Sequence, residues 1–390
     1  MVIFVTLGLM YNMNEVLIFK CNSYDENDIK EVVSKLTTSF NVLNKIKKGS
    51  KVVIKANLVS AMNPDKNATT NPILLKGLVT YLLEKNCEVV IGDSPSGLFN
   101  ELALNKVYKA TGMEVTGATL NNNFSTKKVY FSEAKVLKSF EYTSYIDDAD
   151  IKINFCKLKT HGMMNMSCSV KNLFGTIPGT LKPEYHYRFP KIEDFANMLI
   201  DINEYFKFDL NIVDAIDGME GNGPTMGDPR HIGCVLCSTN PYALDDICSK
   251  LINLNSLNVE TIKQSRSRGL YDYNNISTNI PIKDIVIKDF KLNSSLASLK
   301  FYSNSNNPFA KIVSIIAKKV FYNQPDCKKK KCIGCGKCSK ICPAKAITMK
   351  NGKPSIDRSK CIKCYCCQEF CPIGAMHVKS SLIARIIKKH

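Results

Sequence analysis

The sequence predicts an α/β fold: a large domain with a mainly parallel sheet and flanking helices, followed by a small α+β module at the C-terminus. Short apolar runs alternate with amphipathic stretches from Met13 to about Leu292, as strands and crossover helices do in parallel sheets. Polar residues directly follow several of these runs. Cysteines are concentrated after position 326, which sets the last part of the chain apart.

The strands are predicted from short runs rich in valine, isoleucine and phenylalanine that are bounded by polar or glycine-containing segments. They cover residues 15–21, 51–59, 87–97, 148–159, 208–217 and 231–238. In open parallel sheets, ligands bind beyond the carboxyl ends of the strands. The polar residues that follow these runs are therefore the candidates for a site.

Helices are predicted between the strands, where apolar residues recur at helical spacing. They cover residues 27–40, 71–86 and 239–254. The second and third have proline near the start, where the missing N–H costs nothing. In the third, Asn240 or Thr239 is the expected cap and Pro241 lies in the first turn.

Two copies of one cysteine pattern lie near the C-terminus. Each copy reads C-x2-C-x2-C-x3-C-P, the pattern that binds [4Fe–4S] clusters in bacterial two-cluster ferredoxins. Two-residue gaps let three thiolates surround one face of a cluster, and the fourth cysteine crosses to the other cluster. One predicted ligand set is Cys332, Cys335, Cys338 and Cys371, and the other is Cys361, Cys364, Cys367 and Cys342.

Cys327 and Cys366 fall outside this pattern, and Cys366 is expected to be a spare, packed thiol. Zinc is the competing ligand, since thiolates in C-x2-C pairs also bind it. Zinc ribbons separate two such pairs, whereas each copy here has three evenly spaced ligands, so two [4Fe–4S] clusters are predicted. Between the copies, Asn351-Gly352 predicts a tight hairpin. Residues 328–378 therefore resemble a bacterial-type ferredoxin.

Length and composition indicate an iron–sulfur module within a larger protein of 390 residues. Seventeen cysteines would suggest disulfides in a secreted protein, but reduced thiols and low-potential clusters favour a reducing cytoplasm, in an anaerobic organism. No run reaches the roughly 18 apolar residues that a membrane span needs. The first twelve residues lack the features of a signal peptide and are expected to be a mis-called start or a loose extension.

The predicted organisation has five parts. They are an N-terminal extension at 1–12, the α/β domain at 13–292, a linker with an amphipathic helix at 293–326, the ferredoxin domain at 327–378 and a basic tail at 379–390. The amphipathic helix, at 309–321, is expected to pack on a neighbouring domain; the alternative is a membrane surface, for which its basic face is suited.

The net charge is +18, and much of it lies in the last part of the chain. From Pro325 to His390, fourteen lysines and two arginines stand against three acidic residues. A basic cluster domain suits an acidic redox carrier, a ferredoxin or flavodoxin, because complementary charge raises the encounter rate. Nucleic acid is a second interpretation, disfavoured because few aromatics accompany the lysines and no nucleic-acid motif is present. A solvated surface without a partner is the third.

Six motifs of the large domain occur in a fixed order: KANLV, GDSPSG, KLKTHG, SVKNLFGTIPG, VDAIDGMEGNGPTMG and YALD. In this order they resemble a bacterial and archaeal family described as a domain of unknown function (number 362), over roughly residues 13–255. Members of that family often carry a C-terminal pair of [4Fe–4S] clusters. The resemblance implies a domain and a cofactor, but it implies no reaction.

The chemical roles of the motif residues are predicted from their type. His161 beside Lys159 is suited to general acid–base catalysis, with its pKa lowered by the neighbouring cation. Lys159 and Lys171 are suited to bind a carboxylate or phosphate, and Asn57 and Asn172 to orient it. A small-molecule substrate in the cleft at the strand ends is therefore expected.

Acidic residues complete the candidate set. Asp93, Asp214 and Glu220 are suited to bind a metal or to balance the lysines, although Asp93 is also placed to cap a helix. The expected catalytic residues are Lys159, His161, Lys171, Asp214 and Glu220. The expected cofactor-binding residues are Lys55, Asn57, Asp93 and Asn172.

Three functions fit these features. The leading one is a ferredoxin-coupled oxidoreductase that moves low-potential electrons through two [4Fe–4S] clusters to a substrate or further cofactor in the α/β cleft. The second is an electron carrier or adaptor without catalysis of its own. The third is a cluster-based sensor or a structural iron–sulfur protein. No G-x-G-x-x-G opens a helix after a strand, so a standard dinucleotide site is not predicted, while a flavin bound without that motif is compatible.

Overall fold

The computed structural model describes residues 14–40, 43, 45–292 and 323–380. The expected N-terminal extension, the helix predicted at 309–321 and most of the basic tail lie outside the described residues. Within the described ranges, none of the helices is long and apolar enough to cross a membrane.

The large domain is built on a nine-stranded mixed sheet. Its strands overlap the predicted apolar runs, because aliphatic and β-branched residues that pack well in sheets dominate most of them. In chain order the strands of this domain are β1 (Glu15–Lys20), β2 (Lys51–Lys55), β3 (Glu88–Gly92), β4 (Thr119–Leu120), β5 (Thr126–Tyr130), β6 (Ser139–Thr143), β7 (Ile151–His161), β8 (Asn165–Ser167), β9 (Leu210–Glu220), β10 (Asp228–Ser238) and β11 (Ser277–Thr278). Of these, β5 and β6 form a separate antiparallel pair.

The strand order is β11-β1-β10-β9-β7-β2-β3-β4, with β8 paired to β7. The neighbours from β9 through β7, β2 and β3 to β4 are parallel, which confirms the mainly parallel sheet. The exceptions are β8, which turns back on β7, and β10, which is antiparallel to both β9 and β1. The carboxyl ends of β2, β3, β7 and β9 therefore meet at one edge.

Helices flank the sheet, several of them begun by asparagine caps. In chain order they are α1 (Glu26–Ser39), α2 (Pro72–Glu84), α3 (Glu101–Thr111), α4 (Ser169–Asn172), α5 (Lys182–Arg188), α6 (Ile192–Phe206), α7 (Pro241–Leu251) and α8 (Glu260–Ser267). The side chain of Asn71 accepts from Ile73 N at 2.9 Å, and that of Asn240 accepts from Tyr242 N at 2.9 Å. Asn240 is thus the cap that the sequence predicts, with Pro241 directly after it.

Two hydrophobic cores hold the helices to the sheet. One contains α6, α7 and α8 residues such as Phe195, Leu199 and Leu244. The other contains α1 and α2 residues such as Val32 and Leu75. Covering both faces is what a largely parallel sheet with near-continuous apolar strands requires.

The C-terminal part, residues 323–380, is called the cluster module below. Its elements are β12 (Asn323–Cys327), α9 (Lys337–Lys340), β13 (Ile347–Lys350), β14 (Lys353–Ile356), α10 (Cys366–Glu369) and β15 (Met376–Ser380). β13 and β14 form the predicted hairpin, with φ of 49° at Asn351 and 69° at Gly352, the left-handed values of a type I′ turn. The module begins at Asn323, inside the segment expected to be linker, because β12 pairs with β15.

Candidate functional site

The cluster module brings cysteines of both motif copies to one cavity. Cys332, Cys335 and Cys338 of the first copy and Cys371 of the second line it, which is the crossed ligand set that the spacing predicts. Cys327, at the end of β12, lines the same cavity. Four thiols from two chain segments around one small cavity fit a [4Fe–4S] cluster, whose iron atoms take cysteine thiolates as ligands.

The second predicted ligand set is also gathered. Burial raises the pKa of the Cys367 thiol, and the charges of Cys364, Cys361 and Cys342, followed by that of Cys338 from the first set, act in the same direction, so Cys367 lies within electrostatic range of the other three thiols of its set. The residues of both sets therefore fit the two clusters that the spacing predicts.

The two crossing cysteines have equivalent surroundings. Ala346 N donates to Cys342 Sγ and Ala375 N donates to Cys371 Sγ, each at 3.2 Å. The same backbone-to-sulfur contact thus occurs in both copies of the cysteine pattern, which reflects the internal pseudo-symmetry of the module. Hydrogen bonds to cluster sulfurs are one means by which a protein sets the reduction potential.

The cluster module docks on the large domain through α10. Gln368 donates from Nε2 to Asn222 Oδ1 at 2.7 Å and to Gly223 O at 3.2 Å. Thr225 Oγ1 donates to Glu369 O at 3.5 Å. Because Asn222, Gly223 and Thr225 lie in the loop between β9 and β10, this loop joins the sheet edge to the module.

The two ligand sets differ in exposure. In the first, Cys335 is exposed, as is Ile333 two residues before it, at 66%, while Cys338 and Cys371 are buried. In the second, none of the thiols is exposed, and the buried Cys367 directly precedes Gln368, which docks on the large domain. One cluster position therefore reaches the surface, and the other lies toward the domain interface.

A cleft with a cavity volume of about 60 Å³ lies where the module meets the sheet edge. Predicted site residues of the large domain supply one side of it: Lys55, Asn57, Asp93, Lys159, Lys171 and Asn172. The module supplies the other side through Cys366, Glu369 and Phe370. Most of the residues predicted from their positions after the strands therefore lie together in one cleft.

A buried ion pair forms the floor of the cleft. Lys55 Nζ lies 2.9 Å from Asp93 Oδ1 and donates to Asn172 Oδ1 at 2.8 Å. The other oxygen of Asp93 accepts from Leu58 N at 2.8 Å, so this carboxylate fixes the turn after β2. Burial lowers the pKa of Lys55, and Asp93 opposes that shift. A Cβ on Gly175 would lie 2.1 Å from Asp93 Oδ1, so glycine is required there for close approach.

Lys159 is held without a carboxylate partner. Its ammonium donates to Asn57 Oδ1 and to Ala68 O, each at 2.6 Å. Burial, followed by the charges of Lys171 and Lys55, lowers the pKa of Lys159 to about 7. This amine is therefore poised between its charged and neutral forms near neutral pH.

His161 lies behind the cleft wall, next to the cluster module. Its Nδ1 accepts from Met163 N and Met164 N, each at 3.1 Å, and its Nε2 lies 2.9 Å from Glu369 Oε1. Burial, followed by the charge of Lys171, lowers the pKa of His161 to about 4. The lowered pKa is as predicted, but its main cause is burial. At pH 7 the ring is neutral, and the two N–H donors to Nδ1 leave its proton on Nε2, toward Glu369.

Among the cleft residues that the sequence-based prediction missed, four have titratable side chains: Lys182, His186, Cys366 and Glu369. Cys366 is packed, as expected, but it also lines the cleft. Glu369 could have been recognised in the sequence, because it is one of three acidic residues after Pro325 and stands between two predicted cluster ligands. Lys182 and His186 lie in α5, directly after the GTIPG motif, and nothing in their spacing marked them.

Asp214 and Glu220, both predicted to be catalytic, do not line the cleft. β9 continues six residues past Asp214, so this residue lies within the sheet, where its carboxylate accepts from Lys157 Nζ and Tyr24 OH, each at 2.9 Å. Glu220 is the last residue of β9, but its carboxylate pairs with Lys291 at 3.1 Å. Both carboxylates are paired with lysines and lie outside the cleft lining.

Comparison with known proteins agrees with this two-part architecture. A family model described as Domain of unknown function (DUF362) matches residues 52–250, and a 4Fe-4S dicluster domain matches residues 331–375. A thylakoid-associated protein of Synechocystis sp. is 28% identical over 267 residues, which cover 66% of this chain and 81% of that protein.

Two solved structures resemble the chain more weakly. A Thermotoga maritima protein is 16% identical over 50% of this chain and 51% of its own, with a TM-score of 0.34. The lactate racemase apoprotein from Thermoanaerobacterium thermosaccharolyticum is 11% identical over 62% of this chain and 58% of its own, with a TM-score of 0.38. Since the first family model covers slightly more than half of the residues, the chain belongs to the DUF362 family, and its dicluster domain makes it an iron–sulfur electron-transfer protein.

Proposed function

We propose that the protein is a ferredoxin-coupled oxidoreductase, in which low-potential electrons enter at the cluster module and reach a substrate or cofactor bound in the cleft. The observation that carries this proposal is that the module itself forms one wall of the cleft. Cys366, which lines the cleft, directly precedes the predicted ligand Cys367. Iron–sulfur clusters supply one-electron transfer over a wide range of potentials.

The exposure of the two ligand sets supports a direction of electron flow in which electrons enter at one cluster and leave from the other. The set that includes Cys335 has one exposed thiol, whereas no thiol of the set that includes Cys367 is exposed, and Cys367 directly follows Cys366 of the cleft. An adaptor that only relays electrons is the second candidate. It has no need for buried lysines such as Lys159 in a cleft between two domains, so the geometry favours the oxidoreductase.

The cleft residues are expected to control oxidation of the clusters by a small molecule. The anaerobically reduced full-length protein is mixed with the deproteinised small-molecule fraction of its own cells, and the cluster absorbance is followed. We expect reoxidation of the wild type to be at least about ten-fold faster than that of Lys159→Met or Lys171→Ala, a loss of about 1.4 kcal/mol or more of transition-state stabilisation.

The control for this experiment is an oxidant that needs no cleft. Hexacyanoferrate(III) accepts electrons from an exposed cluster, so it is expected to oxidise the wild type and both variants at the same rate. Equal reoxidation of all three proteins by the cell fraction would instead favour the adaptor.

We further propose that an acidic ferredoxin or flavodoxin docks at the exposed cluster position and delivers electrons in a reducing cytoplasm. Four exposed lysines precede the first ligand, and Ile333 gives this rim an exposed apolar centre. They are Lys328, Lys329, Lys330 and Lys331. An apolar contact inside a charged rim suits a transient redox complex, since charge steers the encounter.

Replacing these four lysines with glutamine is expected to lower the second-order rate of reduction by an acidic ferredoxin by about ten-fold at low ionic strength. The difference should shrink as salt is added, since exposed charges are screened. Stopped-flow spectroscopy measures both effects. The matched control replaces four exposed lysines of the large domain: Lys66, Lys76, Lys106 and Lys109. An equal loss in both variants would mean that only net charge matters and that this rim is not the docking site.

A further inference from the structure

The charges that line the cleft do not balance. Four lysines face it, but among the described residues that line it the only carboxylates are those of Asp93 and Glu369. Asp93 pairs with Lys55 at 2.9 Å, and Glu369 lies 2.9 Å from His161. In the described part of the chain, the three remaining lysines, Lys159, Lys171 and Lys182, form no ion pair with a carboxylate.

Two of these ammonium groups are held over one aromatic ring. Lys171 Nζ lies 5.9 Å and Lys182 Nζ 5.6 Å from the centroid of Phe174. Lys182 also donates to Ser94 O. Burial is the main cause that lowers the pKa of Lys182 to about 8, and the charges of Lys55 and Lys171 act in the same direction. Holding like charges together in a partly buried cleft is unfavourable unless an anion joins them.

A buried histidine in the same cleft has a free hydrogen-bonding atom. His186 is 3% exposed and lines the cleft, and its Nδ1 has no hydrogen-bond partner. The ring is fixed by stacking on Phe195, with 4.4 Å between the centroids and 13° between the planes. A buried polar atom without a partner costs about 1–3 kcal/mol, so this orphaned atom itself points to a ligand.

We propose that the cleft binds a compact small molecule through a carboxylate or phosphate group, which Lys171, Lys182 and Lys159 hold by charge and His186 by a hydrogen bond. This inference rests on the proposed function, because it names the class of molecule that would receive the electrons. The rest of the ligand faces Cys366 and Phe370 of the cluster module.

The size of the cleft limits this ligand. A cavity volume of about 60 Å³ exceeds the roughly 10–15 Å³ that a single water molecule needs, so the cleft has room for a compact ligand. The anionic group and a short carbon or phosphate body fit in this space. No G-x-G-x-x-G motif opens a helix after a strand, so the sequence gives no support to a standard dinucleotide as the ligand.

Equilibrium dialysis with labelled anions tests the proposal on the oxidised, full-length protein with its clusters. The probes are inorganic phosphate, acetate and uncharged acetamide, at constant ionic strength. We expect saturable binding of at least one anion and none of acetamide. Tighter binding of phosphate would assign the ligand to the phosphate class, and tighter binding of acetate to the carboxylate class.

Lysine-to-glutamine variants locate the bound anion. Lys182→Gln and Lys171→Gln are each expected to raise the dissociation constant at least ten-fold, whereas Lys191→Gln, an exposed lysine shortly after α5, should leave it within two-fold. Cluster absorbance confirms that each variant is folded. If one of the two cleft variants does not fold, the other tests the proposal. Absence of saturable anion binding, or equal binding by wild type and both cleft variants, would overturn the proposal.

This experiment is independent of electron transfer, since the protein stays oxidised throughout. If the anion binds but the cell fraction does not reoxidise reduced protein in a cleft-dependent manner, the anion site stands and the oxidoreductase proposal fails. If reoxidation depends on the cleft while neither anion binds, the oxidoreductase stands and the anion site fails.

Discussion

Cys364→Ala is expected to reduce the iron content from about eight to about four atoms per chain, since each [4Fe–4S] cluster needs its full set of thiolates. Cys364 is buried, and its set includes Cys367, which directly follows Cys366 of the cleft, so its cluster is the one nearest a bound molecule. Reduction of a cleft ligand should therefore fall to background, while the outer cluster remains. Iron and acid-labile sulfide analysis, with electron paramagnetic resonance of the reduced protein, measures the loss.

The neighbouring thiol provides the matched control. Cys366, two residues from Cys364, is also buried, but it stands outside the C-x2-C-x2-C spacing. Cys366→Ala is expected to keep all of the iron and both cluster signals. If this variant lost iron as Cys364→Ala does, the ligand assignment by spacing would be wrong for the second cluster.

The pattern of strands and polar residues predicted the position of the cleft. Lys55, Asp93 and Lys159 lie far apart in sequence, and they meet because parallel strands end at the same edge of the sheet. Local period and composition determine where such strands occur, so the convergence of their ends could be read from the sequence. The crossed cluster ligands were predictable for the same reason, since their spacing is a local property.

What the sequence concealed depends on strand length and on contacts between domains. β9 was expected to end at Asp217, but it runs on to Glu220, so Glu220 ends a strand and pairs with Lys291 instead of lying in a loop over the cleft. Glu369 and Cys366 enter the cleft only because α10 docks on the loop between β9 and β10. No periodicity within either domain encodes that contact, which arises from complementary surfaces.

Asp214→Asn is expected to lower the free energy of unfolding by about 3–5 kcal/mol, the cost of leaving a buried charge without its partner. Lys157 Nζ lies 2.9 Å from Asp214 Oδ2, and both side chains are 0% exposed. Tyr24 OH both donates to this carboxylate and accepts from Lys157, at 2.9 and 2.8 Å. Chemical denaturation of the anaerobic protein, followed by circular dichroism, measures the change.

A surface pair shows how much of this effect is due to burial. Asp148 lies 3.4 Å from Lys51 in a pair whose side chains are 69% and 32% exposed, so Asp148→Asn should change the free energy of unfolding by less than about 1 kcal/mol.

Anion binding in the cleft distinguishes a structural from a catalytic Asp214. At a temperature where Asp214→Asn remains folded, its affinity for phosphate or acetate should equal that of the wild type, because the Lys157–Asp214 pair lies outside the cleft. If Asp214→Asn had normal stability but bound the anion more weakly, Asp214 would instead belong to the binding site.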